Sequence, residues 1–208
     1  MKQLTLACGL FIGLLNLSAC TLLPESDALS VYQFAQPSAI PTSNNQPLAL
    51  SLRINTPQTG YAYSGSRLMV QTRVQQLLSY KGVRWSDPTP TVIREYLAQA
   101  FQQRANLSAV TTDEQSLYAD VYLSSDLRRF QVVDEASPYV LITLQTRLID
   151  PDSRRIHASH DVTIKHPISS TQIQDVLRGY QQASDTLANE LLDWALPQLA
   201  TIARNTGE

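Results

Sequence analysis

Cysteine is almost missing from this sequence: two residues in 208, Cys8 and Cys20. A disulfide-built scaffold is therefore excluded. Charge is scarce too. Asp, Glu, Lys and Arg make up 16% of the chain, against roughly 25% in an average soluble domain. The 16 basic and 18 acidic residues leave a net charge of −2, with a pI near 5.9. Such a balance gives no general attraction to nucleic acid. Seven glycines are present and none sits in a phosphate-cradling loop, so this chain is not itself an ATPase. Past residue 20 no long uncharged apolar run occurs, which excludes a polytopic membrane protein. What fills the gap is Gln, Ser, Thr and Asn around 43% apolar residues. That is enough to bury a core, and 208 residues predict one domain rather than disorder.

The first twenty residues carry the strongest local signal. Lys2 supplies a short positive region, and residues 4–17 are almost wholly apolar or small. The run suits a signal-peptide core and is too short for a comfortable span of about 20 residues. It ends in Leu17-Ser18-Ala19-Cys20, which resembles the lipobox of bacterial lipoproteins. In that box small residues, here Ser18 and Ala19, fit the peptidase cleft, cleavage falls between Ala19 and Cys20, and the Cys20 thiol takes the lipid. Cys8 has too little apolar chain before it and is discarded with the leader. The expected organisation is a signal at 1–19, a lipidated tether at 20–30 and one domain at 31–208. No internal disulfide is then open to the mature chain. More than one acyl chain, at about 0.8 kcal/mol per buried methylene, makes a stable anchor. Thr21 rather than Asp after the cysteine resembles sorting to the outer membrane, with the domain facing the periplasm.

Periodicity then divides the chain. Residues 31–34 alternate as a first strand, 35–47 are a Pro-, Ser- and Asn-rich loop, and 48–54 are apolar at every second position. Residues 57–65 are turn-rich, and 67–80 read as extended, with 74–78 also compatible with a helix. Lys81-Gly82 reads as a tight turn into Val83-Arg84-Trp85. A helix begins near Asp87-Pro88-Thr89-Pro90, capped by Asp or Thr, with Val92, Ile93, Tyr96, Leu97, Ala100 and Phe101 on one stripe. Residues 117–133 form one long strand or two joined by a bulge, followed by strands at 139–149 and 155–165 in an antiparallel meander. A long helix follows Ser169-Ser170-Thr171, with Ile173, Leu177, Tyr180, Ser184, Leu187, Leu191 and Trp194 on its stripe. Pro197 is expected to kink or end it near Ala195. The fold class is α+β: one mixed, largely antiparallel sheet packed, sandwich-like, on two main helices.

In order along the chain come Tyr32 and Phe34, Ser66-Arg67-Leu68, a run ending in Tyr80, and Arg84-Trp85-Ser86-Asp87-Pro88 opening a helix. Then follow Leu127-Arg128-Arg129-Phe130, Leu144, Leu148-Ile149-Asp150, and Ala183, Leu187 and Trp194. From Tyr32 to Trp194 this resembles the auxiliary lipoproteins of ABC-type lipid transport systems, the PqiC-like family. One departure is the missing aromatic near Val162. The resemblance implies a sheet-and-helix domain without a catalytic centre or cofactor. It also implies partnership with a periplasmic MCE-domain protein and its inner-membrane transport components, several copies surrounding a tunnel end being one arrangement.

Residues that invite other chemistry have plainer readings. Ser64-Gly65-Ser66 lacks the Gly-x-Ser-x-Gly frame of a nucleophile elbow. His157 and His160 are three apart on a strand, so they face opposite ways and cannot converge on a metal; they and His166 read as solvated. Asp150 and Asp152 belong to an Asp-Pro-Asp-Ser turn. Arg128-Arg129 and Arg154-Arg155 read as a solvated hairpin surface, and Trp85 and Trp194 as core. Two alternatives to a transport accessory stay open: a lipid-anchored periplasmic hydrolase, and a structural envelope lipoprotein. Cys20→Ser is expected to abolish acyl labelling of the protein in cells and to release or stall the precursor. Undiminished labelling of that variant would refute the lipobox.

Overall fold

A computed structural model of the chain describes residues 29–38 and 47–206. The signal, Ala19, Cys20 and most of the tether and of the 35–47 loop lie outside these residues. Among those described, the elements run β1 (Ser30–Tyr32), β2 (Leu48–Ile54), β3 (Gln58–Thr59), a 3-10 turn (Tyr61–Tyr63), β4 (Arg67–Gln71) and β5 (Leu77–Trp85). They continue with α1 (Thr89–Arg104), β6 (Leu107–Thr112), β7 (Val121–Val133), β8 (Tyr139–Ile149), β9 (Ile156–Pro167) and α2 (Ile173–Thr206). The fold is α+β, as expected, with both helices on one face of a single open sheet.

β7 organises that sheet. Along one edge it pairs antiparallel with β8 over the whole strand, and β8 pairs with β9 in the expected meander. Along its other edge it takes three short parallel partners in succession, β2 at Val121 to Leu123, β3 at Asp126 and Leu127, and β4 at Gln131 to Val133. β6 extends β2 in parallel, while β5 and then β1 extend β4. Five of the eight pairings are thus parallel, though the antiparallel ones are the longest. The bulge expected in 117–133 is at Arg128: Leu127 faces Leu144 and Arg129 faces Thr143, leaving Arg128 unpaired. Before it Val121, Leu123, Ser125 and Leu127 point inward; after it Phe130 and Val132 do. One extra residue lets two out-of-phase runs bury the same face.

Four expectations are corrected. Lys81-Gly82 is not a turn between strands but lies inside β5, because both halves of β5 pair with the same neighbour, β4. Gly82, at φ 69°, supplies the bend. Residues 74–78 are not helical: Thr72 and Gln76 close a hairpin between β4 and β5. Neither Asp87 nor Thr89 caps α1; Pro88 is at that position, and the Thr89 hydroxyl donates to Gly65 O at 3.0 Å instead. Pro197 does not end α2, which continues to Thr206. The proline is exposed, so the carbonyl it leaves unpaired faces water, while Leu199, Ile202 and Ala203 keep the apolar stripe on the core. β3 and β6 had no sequence expectation.

The core is the layer between the sheet and the helices. Leu52, Ile54, Leu123, Phe130, Ile142, Leu144 and Val162 from the strands meet Ile93, Leu97, Phe101, Tyr180, Leu187 and Leu191 from the helices. α2 comes closest where it carries Gly179: a methyl there would press directly on Ile168 Cγ2 and lie 3.2 Å from Val140 Cγ2. Alanine in a free helix gains about 1 kcal/mol over glycine. At Gly179 the packing term reverses the sign, and Gly179→Ala is expected to destabilise by about 1–3 kcal/mol. Combining it with Ile168→Ala removes the clash, so the pair should be less destabilising than the sum of the singles in urea unfolding.

Candidate functional site

After β1 the chain crosses the helix layer as a strap, residues 33–38. Phe34 seats it, edge-on to Trp85 at 5.1 Å and to Tyr96 at 5.5 Å, and 6.1 Å from Phe130. Tyr180 completes the group, edge-on to Trp85 at 5.3 Å and 4.6 Å from Phe130. Five rings from the strap, β5, α1, β7 and α2 thus meet at one point. Asp185 on α2 clamps the strap's far end. Its carboxylate accepts the Ser38 amide (3.1 Å), the Ser38 hydroxyl (2.9 Å) and the Tyr96 hydroxyl (2.7 Å). Arg104 reaches the same carboxylate at 3.8 Å and donates to Ser38 O. An opening of about 340 Å³ on the α1 side is lined by Gln33, Asp87, Arg94, Glu95 and Gln99. A second of about 240 Å³ on the α2 side is lined by Trp85, Leu177, Arg178 and Gln181.

Charge at the larger opening is centred on Arg94, whose side chain is only 4% exposed. It binds Glu95 at 2.8 Å, Asp113 at 3.2 Å, Thr56 Oγ1 at 2.9 Å, and Glu114. Burial works against the guanidinium charge, but Glu114 and Glu95 outweigh it and raise its pKa. Burial likewise favours a neutral Asp113, yet hydrogen bonds from the Thr56 amide and hydroxyl and from Arg94 hold its carboxyl below the ordinary range. The phenols go the other way: burial, then the Asp185 carboxylate, push Tyr96 well up, and burial raises Tyr180. Trp85 Nε1, the Tyr180 hydroxyl and Ser184 Oγ have no hydrogen-bond partner among the described residues. The phenols are protonated at neutral pH; Glu95, Asp113 and Glu114 are engaged by Arg94, and Asp185 by Ser38 and Tyr96, while Asp87 accepts the Ser86 hydroxyl at 2.7 Å.

The sheet face away from the helices is polar. Arg53 lies over the Tyr122 ring at 4.8 Å, Asn55 donates to Ser124 Oγ at 2.9 Å, and Arg147 donates to Asp126 at 2.7 Å. Arg128, thrown out by the bulge, donates to Gln145 at 2.9 Å and lies 3.6 Å from Asp126; Arg129, Arg154 and Arg155 are exposed. His157 and His160 do face opposite ways. His160 is not solvated, however. It stacks on Trp194 at 5.2 Å with Nε2 3.6 Å from Glu190, and His166 bonds Gln182 at 2.9 Å, because α2 covers that face of β9. Asp150 closes its turn through Ser153 Oγ (2.7 Å) and the Asp152 amide (2.9 Å), and Asp152 accepts the Tyr118 hydroxyl at 2.8 Å. Ser64 Oγ is spent on Tyr61 O at 3.0 Å. Trp85 is core, and Trp194 is half-buried beside it.

Residues 32–191 match the sequence profile of the ABC-type transport auxiliary lipoprotein component. The chain belongs to that family. The match begins at β1 and ends on α2, so it takes in the strap, the aromatic group and both helices. An uncharacterized protein of Bradyrhizobium diazoefficiens is 24% identical over 149 residues, which are 72% of this chain and 40% of that protein. This chain thus spans less than half the length of that relative. A crystal structure of a Xanthomonas campestris protein superposes with a TM-score of 0.72 at 23% identity, covering 81% of this chain and 96% of the other. A further crystal structure, of an uncharacterized protein, gives 0.63 at 14% identity over 81% and 99%. These likenesses establish a shared fold. No helix among the described residues is long and apolar enough to cross a membrane.

In this auxiliary lipoprotein the strap's clamp and the Arg94 cluster escaped sequence reasoning. Asp185, Asp113 and Thr56 are widely separated along the chain, and nothing local marks them as partners. The Asp113 carboxyl also sets a pH dependence. Its folded pKa lies below the ordinary 3.8, so its contribution to stability is complete above that value and is lost as pH falls through the folded one. Asp113→Asn is expected to lower stability at neutral pH and to flatten its decline below about pH 4 in urea unfolding at stepped pH. Equal slopes for variant and parent would place the acid sensitivity elsewhere.

Proposed function

We propose that this lipoprotein is a non-enzymatic accessory of an MCE/ABC-type intermembrane lipid transport system. It is anchored through Cys20 at the outer membrane, faces the periplasm and acts by docking. The observation that carries the reading is the family match beginning at residue 32, a short tether's length after a Leu-Ser-Ala-Cys box. The geometry agrees with a docking role. Asp113 and Asp185 tie separate elements together, and the strap joins β1 to both helices, so the domain presents rigid surfaces. Rigid, weakly charged polar surfaces associate at a smaller desolvation penalty than ionic ones. Tethered copies near one membrane add weak contacts by avidity.

Affinity capture of the mature lipoprotein from detergent-solubilised envelopes tests this. It should recover an MCE-domain protein together with ATPase and permease subunits, and fractionation should place the lipoprotein in the outer membrane. Recovery without them, combined with phospholipid or ester hydrolysis by the purified lipoprotein, would favour an anchored hydrolase. Inner-membrane fractionation would overturn the sorting alone.

A further inference from the structure

The near-neutral total charge conceals a division along the chain. Residues 28–86 contain no Asp or Glu and five basic residues, Arg53, Arg67, Arg73, Lys81 and Arg84. Residues 87–208 hold ten Lys and Arg against sixteen Asp and Glu. The fold gathers four of those five on one edge of the sheet. Arg67 of β4 stands opposite Arg84 of β5, which stands beside Val31 of β1. Arg73 is on the β4–β5 turn and Lys81 on β5, and all four are exposed. Arg67, Arg73 and Arg84 make no ion pair among the described residues. Asp87 lies beyond the end of β5, and the Asp134 amide donates to Gln71 O at 2.9 Å.

Exposed apolar side chains share this edge. Val74, at the hairpin tip, is 82% exposed and Tyr61, on the 3-10 turn, 94%; Leu29, Val31 and Leu78 are exposed as well. Tyr61, Arg67, Met69 and Leu77 line a shallow depression of about 390 Å³ between tip and turn. A basic, aromatic and aliphatic mixture suits the headgroup layer of a bilayer, where cations meet phosphate and Tyr or Val enters the acyl boundary. The position of the anchor favours the same occupant. β1 runs parallel to β5, so the chain enters β1 from the side of the hairpin tip. Nine residues lie between Cys20 and Ser30, a reach of about 35 Å at full extension.

We propose that the β1–β5–β4 edge is a membrane-docking surface that rests on anionic phospholipid headgroups, with Val74 and Tyr61 in the interface. The proposal builds on anchoring through Cys20. Because lipid consumes the Cys20 thiol, one introduced cysteine is the sole labelling site of the mature protein. Val74→Cys, Tyr61→Cys and, at the opposite end of the sheet, Leu117→Cys are each labelled with an environment-sensitive fluorophore. The mature lipoproteins are placed in vesicles of phosphatidylcholine alone, or with 30 mol% (about one lipid in three) phosphatidylglycerol, carrying spin-labelled lipid as quencher.

The expected result is a blue shift and quenching at positions 74 and 61, but not at 117, stronger with phosphatidylglycerol and weakened by salt. Replacing Arg67, Arg73 and Arg84 by Gln should lower the docked-to-undocked ratio roughly 100-fold without shifting the melting transition. A water-like, unquenched probe at both positions, on protein that floats with the vesicles, overturns the docking surface while leaving the anchor intact. Protein that carries no acyl chain refutes the anchor instead. The same labelled protein mixed with phosphatidylglycerol vesicles then still reads the edge, and silence there overturns the docking surface too. Burial of the probes that rises with protein concentration and ignores lipid composition overturns it in favour of a contact between copies of this chain.

Discussion

A β-strand has two hydrogen-bonding edges, and the use of those edges in β7 dictates most of this molecule. One edge is given to β8 from end to end, and the other is divided among β2, β3 and β4. The first half of the chain is thereby laid alongside a strand from the second half, and none of β2, β3 or β4 is long enough to hold its place alone. Every parallel pairing with β7 needs a crossover, which the fold supplies through α1, the 3-10 turn and the irregular run before Val121. The Arg128 bulge keeps the same face of β7 buried along its thirteen residues, so the core layer rests on this strand from end to end.

The two faces of the sheet then take different roles. The helix-covered face holds the apolar core, and α2 comes close enough over β8 and β9 that Gly179 has no room for a methyl. The far face carries short hydrogen-bonded pairs, Asn55 with Ser124 and Arg147 with Asp126, and stays open. Across the helix layer the Phe34 strap is fixed by rings at one end and by Asp185 at the other. This is a brace joining the first strand to the last helix. Such stiffness suits the proposed docking role, because a rigid surface loses little entropy on association.

Charge is the property in which the average misleads most. A net −2 describes a surface with no long-range pull, yet screening confines electrostatics to about 8–10 Å, so only local charge is felt by a partner. The absence of Asp and Glu from residues 28–86, with Arg67, Arg73, Lys81 and Arg84 on or between β4 and β5, creates a patch that the total hides.

Much of the fold was legible because periodicity reports burial directly. The 48–54 strand, the 139–149 and 155–165 meander, the bulged run ending at Val133 and both helices follow from apolar spacing alone. The family pattern is likewise written in ordered residues. β3 was not legible, being two residues long, nor was β6, whose Leu-Ser-Ala-Val-Thr-Thr run lacks a clean apolar alternation; Lys81-Gly82 looked like a turn because a bulge and a turn ask for the same glycine. Pro197 misled because helix propensity is local while its cost depends on which side of the helix meets water. The Arg94 cluster, the Asp185 clamp, the burial of His160 under Trp194 and the basic edge were decided only by tertiary structure. Each joins residues from different elements, and hydrogen bonds and Coulomb forces act over ångströms in space, whatever the separation along the chain.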